Sequence, residues 1–335
     1  MFEKVICFTD IHHGYKGNSK VFNEDCVDFI SWMCSVAKEK NIKTCMCLGD
    51  WHDNRNAINV STLNYTLQNL RKLSDSFDDV YIIIGNHDLF YREKREIHSL
   101  PMGSEFQNIH MINDITTMGD VTLVPWMVGE EWKKIENLTS KYIFGHFEIP
   151  GFKLNAQIEM PDQGEINKGH FKNTEYAFSG HFHKRQRDGN VHYIGNPFGH
   201  NFSDVWDFDR GCMVLEHGGK PEFINWADGP KYISGKLSEL INDPEKYLLP
   251  KSYIKCETDL DMTYMEANQI REAFIQEYKV REFKLIPKKS DVSQDSDIEL
   301  NNFETVDEMV LRELQNLQDG KYKQAILTAI YTGLE

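Results

Sequence analysis

The sequence predicts a mixed α/β chain whose main body is a four-layered sandwich: two sheets stacked face to face between outer helices. Three observations lead there. Over the first hundred residues, short apolar runs alternate with stretches of helical spacing, the order that produces parallel strands joined by helical crossovers. From about His110 to Trp226 the rhythm changes to strands without long helices, which reads as a second sheet. Five of the apolar runs also end in Asp, Asn or His, at the strand ends where sites collect in open α/β sheets.

Taken in order, Val5–Thr9, Thr44–Leu48 and Val80–Ile84 read as buried strands, each an apolar run closed by Gly or a carboxylate. Between the first two, Phe22, Cys26, Phe29, Ile30, Met33, Val36 and Ala37 recur at helical spacing, predicting a helix over 21–41. Val60, Leu63, Leu67, Leu70 and Leu73 predict a second helix before the third strand. In the following region, Thr122–Trp126, Lys141–Phe144, Tyr176–Ser179, Val191–Ile194 and Cys212–Leu215 are the predicted strands. The glycines before His146 and His181 are expected to let the backbone turn so that each imidazole points back at a common site.

A smaller unit follows. Ser252–Thr258 reads as a strand, Tyr264–Tyr278 as a helix and Val280–Ile286 as a strand. The boundaries are thus a body over 1–230, a small α/β capping and DNA-binding piece over 231–289, an acidic linker over 290–302 and a helical segment over 303–335. In the last, Val306, Met309, Val310, Leu314 and Leu317 make one apolar stripe, and Tyr322, Ala325, Ile326, Ala329 and Ile330 another. Such stripes must bury against something, and a partner's docking surface is the expectation.

Composition narrows the class. With 37 Lys+Arg against 52 Asp+Glu, the formal charge of −15 argues against a surface built mainly to grip nucleic acid by charge. A nuclease remains compatible, because bound cations reverse the local field. The apolar run at Val5 is too short for a secretory leader, and no run approaches the roughly 20 residues of a membrane helix. Seven scattered cysteines fit buried reduced thiols in a cytoplasmic chain, with Cys45 and Cys47 on one strand face.

The five strand-end segments are Asp10-Ile11-His12, Gly49-Asp50-Trp51-His52-Asp53, Gly85-Asn86-His87-Asp88, Gly145-His146 and Gly180-His181-Phe182-His183. Hard oxygens mixed with imidazole nitrogens suit divalent Mn, Fe or Zn better than Ca, and there are enough donors for two ions. Two ions a few Å apart clamp the attacking and leaving oxygens of a phosphate ester. Any one segment alone is an ordinary turn or a solvated pair; their joint occurrence, each after a predicted strand, is not.

In this order the segments resemble the calcineurin-like metallophosphoesterases. Pro125-Trp126-Met127, Gly145-His146-Phe147-Glu148 and Tyr193-Ile194-Gly195-Asn196-Pro197 are similar to the SbcD-type DNA nucleases, nearest the recombination-endonuclease subunits of T-even-like phages. The resemblance covers about residues 4–230. It implies one metal held by Asp10, His12, Asp50 and His183, and a second by Asp50, Asn86, His146 and His181, with Asp50 shared. It implies that His87 stabilises the pentacoordinate phosphorane or protonates the leaving oxygen, and that Asp88 orients His87 through its ring N–H. It also implies Mn²⁺ as the activating ion, DNA as substrate, a homodimer, and an SbcC-like coiled-coil ATPase partner gripped by the terminal helices. The bacterial host's cytoplasm would be the compartment if the chain is phage-encoded.

His52 and Asp53 both stand where a ligand could be positioned, and the sequence does not choose between them. Lys16, Lys20, Arg55, Arg92, Lys94, Arg95, Lys184, Arg185 and Arg187 adjoin the motifs, where phosphates could be met. Leu89, Phe90 and Tyr91 follow the third motif and could abut a DNA end; for Leu89 and Phe90 core packing is the competing expectation. Rival readings are another phosphodiesterase or phosphatase, and a scaffold that has lost its chemistry. The first is weakened for protein phosphatases by Asp53-Asn54-Arg55, and the second by the intact set of seven donors.

Overall fold

The computed structural model describes residues 1–136, 138–153, 159–162 and 164–287, and its first strand already sets the plan of the body. In β1 (Lys4–Phe8) the residues from Val5 onward are buried. Val5 and Cys7 join one apolar core while Ile6 and Phe8 join another, as the two-residue repeat of a strand covered on both faces requires. The following strands are β2 (Thr44–Cys47), β3 (Asp79–Ile83), the hairpin β4 (Leu89–Tyr91) and β5 (Lys94–His98), β6 (Ile109–Ile112), β7 (Thr116–Met118), β8 (Val121–Val124), β9 (Tyr142–His146), β10 (Tyr176–Gly180), β11 (Gln186–Asp188), β12 (Val191–Tyr193), β13 (Gly211–Glu216) and β14 (Glu222–Asn225).

Apart from β4 and β5, which pair only with each other, they form two six-stranded sheets, in the orders β14-β13-β1-β2-β3-β6 and β11-β12-β10-β9-β8-β7. Strands β1, β2, β3 and the edge strand β6 run parallel, as do β8, β9, β10 and β12. One apolar core lies between the sheets, where Val5, Met46 and Ile83 meet Leu123, Phe144 and Phe178. A second packs the other face of the first sheet against two helices, Lys20–Glu39 and Val60–Ser76, through Cys26, Phe29, Leu70 and Leu73. Each helix starts at a polar cap: Ser19 accepts from the Phe22 N–H and Asn59 from the Ser61 N–H. A third core covers the outer face of the second sheet, where Ile143, Ala177 and Tyr193 meet Ile135, Phe147 and Phe171. Two 3₁₀ turns, Gly129–Ile135 and Lys168–Phe171, contribute to this outer layer. The body is therefore the expected four-layered sandwich.

Two assignments are corrected. Cys212–Leu215, expected in the second sheet, lies in β13 and pairs antiparallel with β1. His110 lies in β6, parallel to β3. A strand buried on both faces carries no sign of which sheet owns it: Cys212 and Val214 enter the helix-side core, Met213 and Leu215 the inter-sheet core. All seven cysteines are buried free thiols, and Cys45 and Cys47 share the helix-side core.

The chain divides into two compact units, Met1–Ile233 and Ser234–Glu335. The change from one to the other falls within β15 (Lys231–Lys236). That strand heads a three-stranded sheet in the order β15-β16-β17, with β16 (Ser252–Thr258) and β17 (Glu282–Pro287) parallel. The crossover helix Tyr264–Tyr278 is capped by Thr263 and Glu266, and its Phe274 ring lies 5.8 Å from that of Phe283. The predicted linker over 290–302 and helices over 303–335 lie outside the described residues. Among the described residues no helix is long and apolar enough to cross a membrane.

Candidate metal centre

The strand ends converge because the loops that follow them are laced together by backbone. The Leu48 N–H donates to the Phe8 carbonyl (2.9 Å), Asp10 N–H to Gly49 (3.0 Å) and His12 N–H to Asp50 (3.1 Å). Asp10, His12, Asp50 and His181 all have positive φ, between 50° and 84°, a conformation that side-chain-bearing residues adopt only when their surroundings over-determine it. The strain sits on four of the seven predicted ligands.

Gly180 serves close approach. Its own φ is ordinary, and the left-handed turn belongs to His181, with φ 84°. A Cβ at Gly180 would fall on Thr9 Oγ1, with Leu48 O at 2.7 Å and His146 Nδ1 at 2.9 Å. The expected glycine turn is therefore corrected: the glycine lets two strand ends and an imidazole touch.

Two clusters result. Asp10, His12 and His183 have donor atoms within 4.8 Å of one another, and so do Asp50, His146 and His181. Asn86 joins the second, its Oδ1 lying 3.0 Å from both His146 Nε2 and His181 Nδ1. Asp50 Oδ2 stands between the clusters, 3.3 Å from His146 Nε2 and 3.8 Å from His12 Nε2. The seven predicted donors are thus gathered at one place.

The donor set fits divalent cations. His12 is buried, and neither ring nitrogen has a hydrogen-bond partner, a costly state for an imidazole that nothing fills. His146 Nδ1 lies 2.7 Å from the Leu48 carbonyl, which only accepts, so Nδ1 carries the proton and Nε2 faces Asp50 and Asn86 oxygens. Oxygens and a nitrogen lone pair pointing at one another call for a positive charge between them. With protons alone to supply it, burial pulls His146 down, but Asp50 and Asp10 overcome this and raise its pKa to about 9. Burial raises Asp10 to about 7 against the pull of His146. For Asp50 burial is outweighed by the His146, His12 and His87 imidazoles, which hold its carboxyl well below the usual range.

The positions beside the donors resolve differently from expectation. Asp88 does not orient the His87 ring. Its Oδ1 accepts the Trp51 and His52 N–H groups (3.0 and 3.1 Å) and its Oδ2 that of Gly85 (3.0 Å), so this buried carboxylate ties the second motif to the third. The His87 ring is held by the Asp53 carbonyl, 2.8 Å from Nδ1. The choice between His52 and Asp53 falls to Asp53, whose Oδ1 also lies 3.6 Å from His12 Nδ1. His52 is occupied by Ser99 and Thr66 hydroxyls, each at 2.8 Å. His87, His12 and Asp53 also form a third donor group.

Arg95 and Arg185 are not free to meet phosphate. Arg95 is bound by Glu131, Asp114 and two carbonyls, and Arg185 by Asn225 while its guanidinium lies over Phe223. Leu89 is core, whereas Phe90 and Tyr91 are exposed. Three residues had no assigned role in the sequence reading. Buried Arg210 donates to the His183 carbonyl and is held by Asp204 and Asp207, which fixes the last motif from behind. Buried His200 sets its ring edge-on 5.1 Å from His183 and 5.5 Å from His12. Glu148 Oε1 lies 3.6 Å from His181 Nε2; its place two residues after His146 was the available signal, while nothing local marks Arg210.

A model of the calcineurin-like phosphoesterase family matches residues 3–237 of the chain. Exonuclease subunit 1 of Enterobacteria phage T4 is 27% identical over 222 residues, 64% of this chain and 64% of that protein. The chain thus spans just under two thirds of this relative's length. Among solved structures, Pseudomonas putida nuclease MPE is similar with a TM-score of 0.31 and 16% identity, over 56% of this chain and 66% of that one. A dimetal phosphatase from Danio rerio has a TM-score of 0.37 and 12% identity, over 63% and 91% of the two chains.

Proposed function

The chain belongs to the calcineurin-like phosphoesterase family, metal-dependent hydrolases of phosphate esters with a dinuclear centre, and from that premise we propose that it is a DNA nuclease of the SbcD type. The observation that carries the proposal is the meeting of Asp10, His12, Asp50, Asn86, His146, His181 and His183 at the carboxyl ends of the central strands. The similarity to a phage exonuclease subunit supports DNA over other phosphodiesters.

In this reading Asp10, His12, Asp50 and His183 hold one ion and Asp50, Asn86, His146 and His181 the other. Bound cations would acidify the attacking water and offset charge on the phosphate. The chain's own part is positioning. Leu48 fixes the His146 tautomer through its carbonyl, and the His181 backbone N–H donates to the Asp10 carboxylate, 3.1 Å from each oxygen. The Asp53 carbonyl accepts from His87 Nδ1 and so leaves Nε2 as the nitrogen that exchanges a proton, accepting one when the ring is neutral and passing one to the leaving oxygen when the ring carries both. Mn²⁺ as the activating ion, a homodimer, an SbcC-like ATPase partner docked on residues 303–335, and work in a bacterial cytoplasm on recombination or repair ends belong to the same proposal.

The test is release of nucleotides from labelled duplex and single-stranded DNA by the Mn²⁺-loaded chain, with bis-p-nitrophenyl phosphate as a generic diester. Asp50→Ala is expected to lose at least one ion by elemental analysis and nearly all hydrolysis of both substrates. Cleavage of the generic diester with no cleavage of DNA would favour a nucleotide phosphodiesterase instead. A fully active Asp50→Ala variant would overturn the site.

A further inference from the structure

Beside the metal centre lies a cavity that the phosphoester chemistry does not use. It has about 500 Å³ of space, mouth included, and His146 forms part of its wall. Trp126 stands at the boundary, 5.0 Å from the His181 ring and 6.0 Å from that of His146. The remaining wall is apolar and aromatic, with Trp132, Phe147 and Met160, and it carries two carboxylates, Glu148 and Glu165. Among the described residues no Lys or Arg lines it.

This chemistry rejects a phosphate and admits a flat, neutral group. Two carboxylates repel an anion, whereas an aromatic wall stacks any π-face, and carboxylate oxygens accept from an exocyclic amine. His146 is shared between this wall and the seven donors, so the cavity adjoins the place where they would hold a phosphodiester. We propose that the cavity receives the nucleobase flanking the scissile phosphate, with Trp132 as stacking platform and Glu148 and Glu165 favouring amine-bearing bases. A base enters such a cavity only out of the duplex stack, so the preferred substrate is an unpaired nucleotide at a frayed or single-stranded end. The proposal rests on the nuclease reading for its substrate, but the cavity is testable without it.

The experiment is calorimetric titration of the full-length, Mn²⁺-loaded chain with three monophosphates. These are deoxyadenosine 5′-monophosphate, deoxyinosine 5′-monophosphate and deoxyribose 5-phosphate, which share the phosphate and differ in the base. The adenine nucleotide should bind about tenfold tighter than the sugar phosphate, the effect of one stacked base, and tighter than the inosine nucleotide, which lacks the amine. Trp132→Ala should bring the first ratio towards one. Glu165→Gln, at an exposed rim position where folding is not at risk, should shrink the second. Equal affinities for the adenine nucleotide and the sugar phosphate overturn the cavity even if DNA is cut. A chain that binds in the expected ratios yet cuts no labelled DNA overturns the nuclease reading and supports the cavity.

Discussion

Two hydrogen bonds of His87 to its neighbours have different consequences. Its backbone N–H donates to Asp50 Oδ1 at 2.8 Å, a bond that any residue at the position would keep, while its ring is fixed by the Asp53 carbonyl. His87→Ala is therefore expected to retain both ions by elemental analysis and to lose about two to four orders of magnitude in rate, as for a general acid or base. Loss of metal in step with activity would make His87 a ligand in the group with His12 and Asp53. At this scale the sequence was legible where side chains do the work, because Asp, Asn and His at successive strand ends have few other reasons to recur. It was silent on the carbonyls of Leu48 and Asp53, since a backbone acceptor is the same in every residue. It was equally silent on Arg210, whose partners come from separate turns.

A residue away from the metals reports on stability. His192 on β12 is buried beside Tyr176 and Phe178, and burial, aided by the cross-strand Arg187, lowers its pKa to about 4. Below the ordinary histidine value of about 6.5 the unfolded chain takes up a proton that the folded chain refuses until about 4. Stability from this group is thus complete above the higher value and lost as pH falls through that window. His192→Phe should flatten the decline, measured as the difference between the two chains in denaturant unfolding across the window.

At the scale of elements, the contact between β1, β2, β9 and β10 ends is what turns four strands into one site. Gly180 closes β10 against Thr9, Leu48 and His146, all of them backbone-tied or fully buried, so none can yield cheaply. Gly180→Ala is expected to destabilise the fold by about 1–3 kcal/mol, the range for overpacking, and to weaken metal binding through the displaced His146. Thermal unfolding with and without metal checks both parts; a variant with unchanged melting and metal content would show that the strand ends are looser than the contacts imply. The parallel core β1-β2-β3 was legible because helices with clear apolar stripes separate its strands. β13 was misplaced because a doubly buried strand pairs equally well with either sheet. The β4–β5 hairpin escaped because its exposed residues break the alternation that marks a strand.

The whole molecule carries a charge of −15, and two of the cations expected to face DNA, Arg95 and Arg185, are engaged internally. An isolated chain of this kind should hold DNA weakly, since neutralised phosphates supply most non-specific affinity, and bringing the substrate would be the part of the proposed ATPase partner. The segment proposed to dock that partner is 303–335, whose sequence carries two apolar stripes after an acidic, polar stretch. The body Met1–Ile233 forms a compact unit of its own and holds every proposed metal donor. Deleting 303–335 is therefore expected to leave Mn²⁺-dependent cleavage by the chain alone intact, and to abolish association with an SbcC-like ATPase and any ATP-stimulated activity. Co-purification and light scattering read the first loss, nuclease assays with ATP the second. A truncated chain that binds the ATPase with unchanged affinity would remove the docking role. One that precipitates would assign the stripes to the chain's own core, because the apolar area of about five large side chains, worth several kcal/mol when buried, would then have lost its cover within the protein.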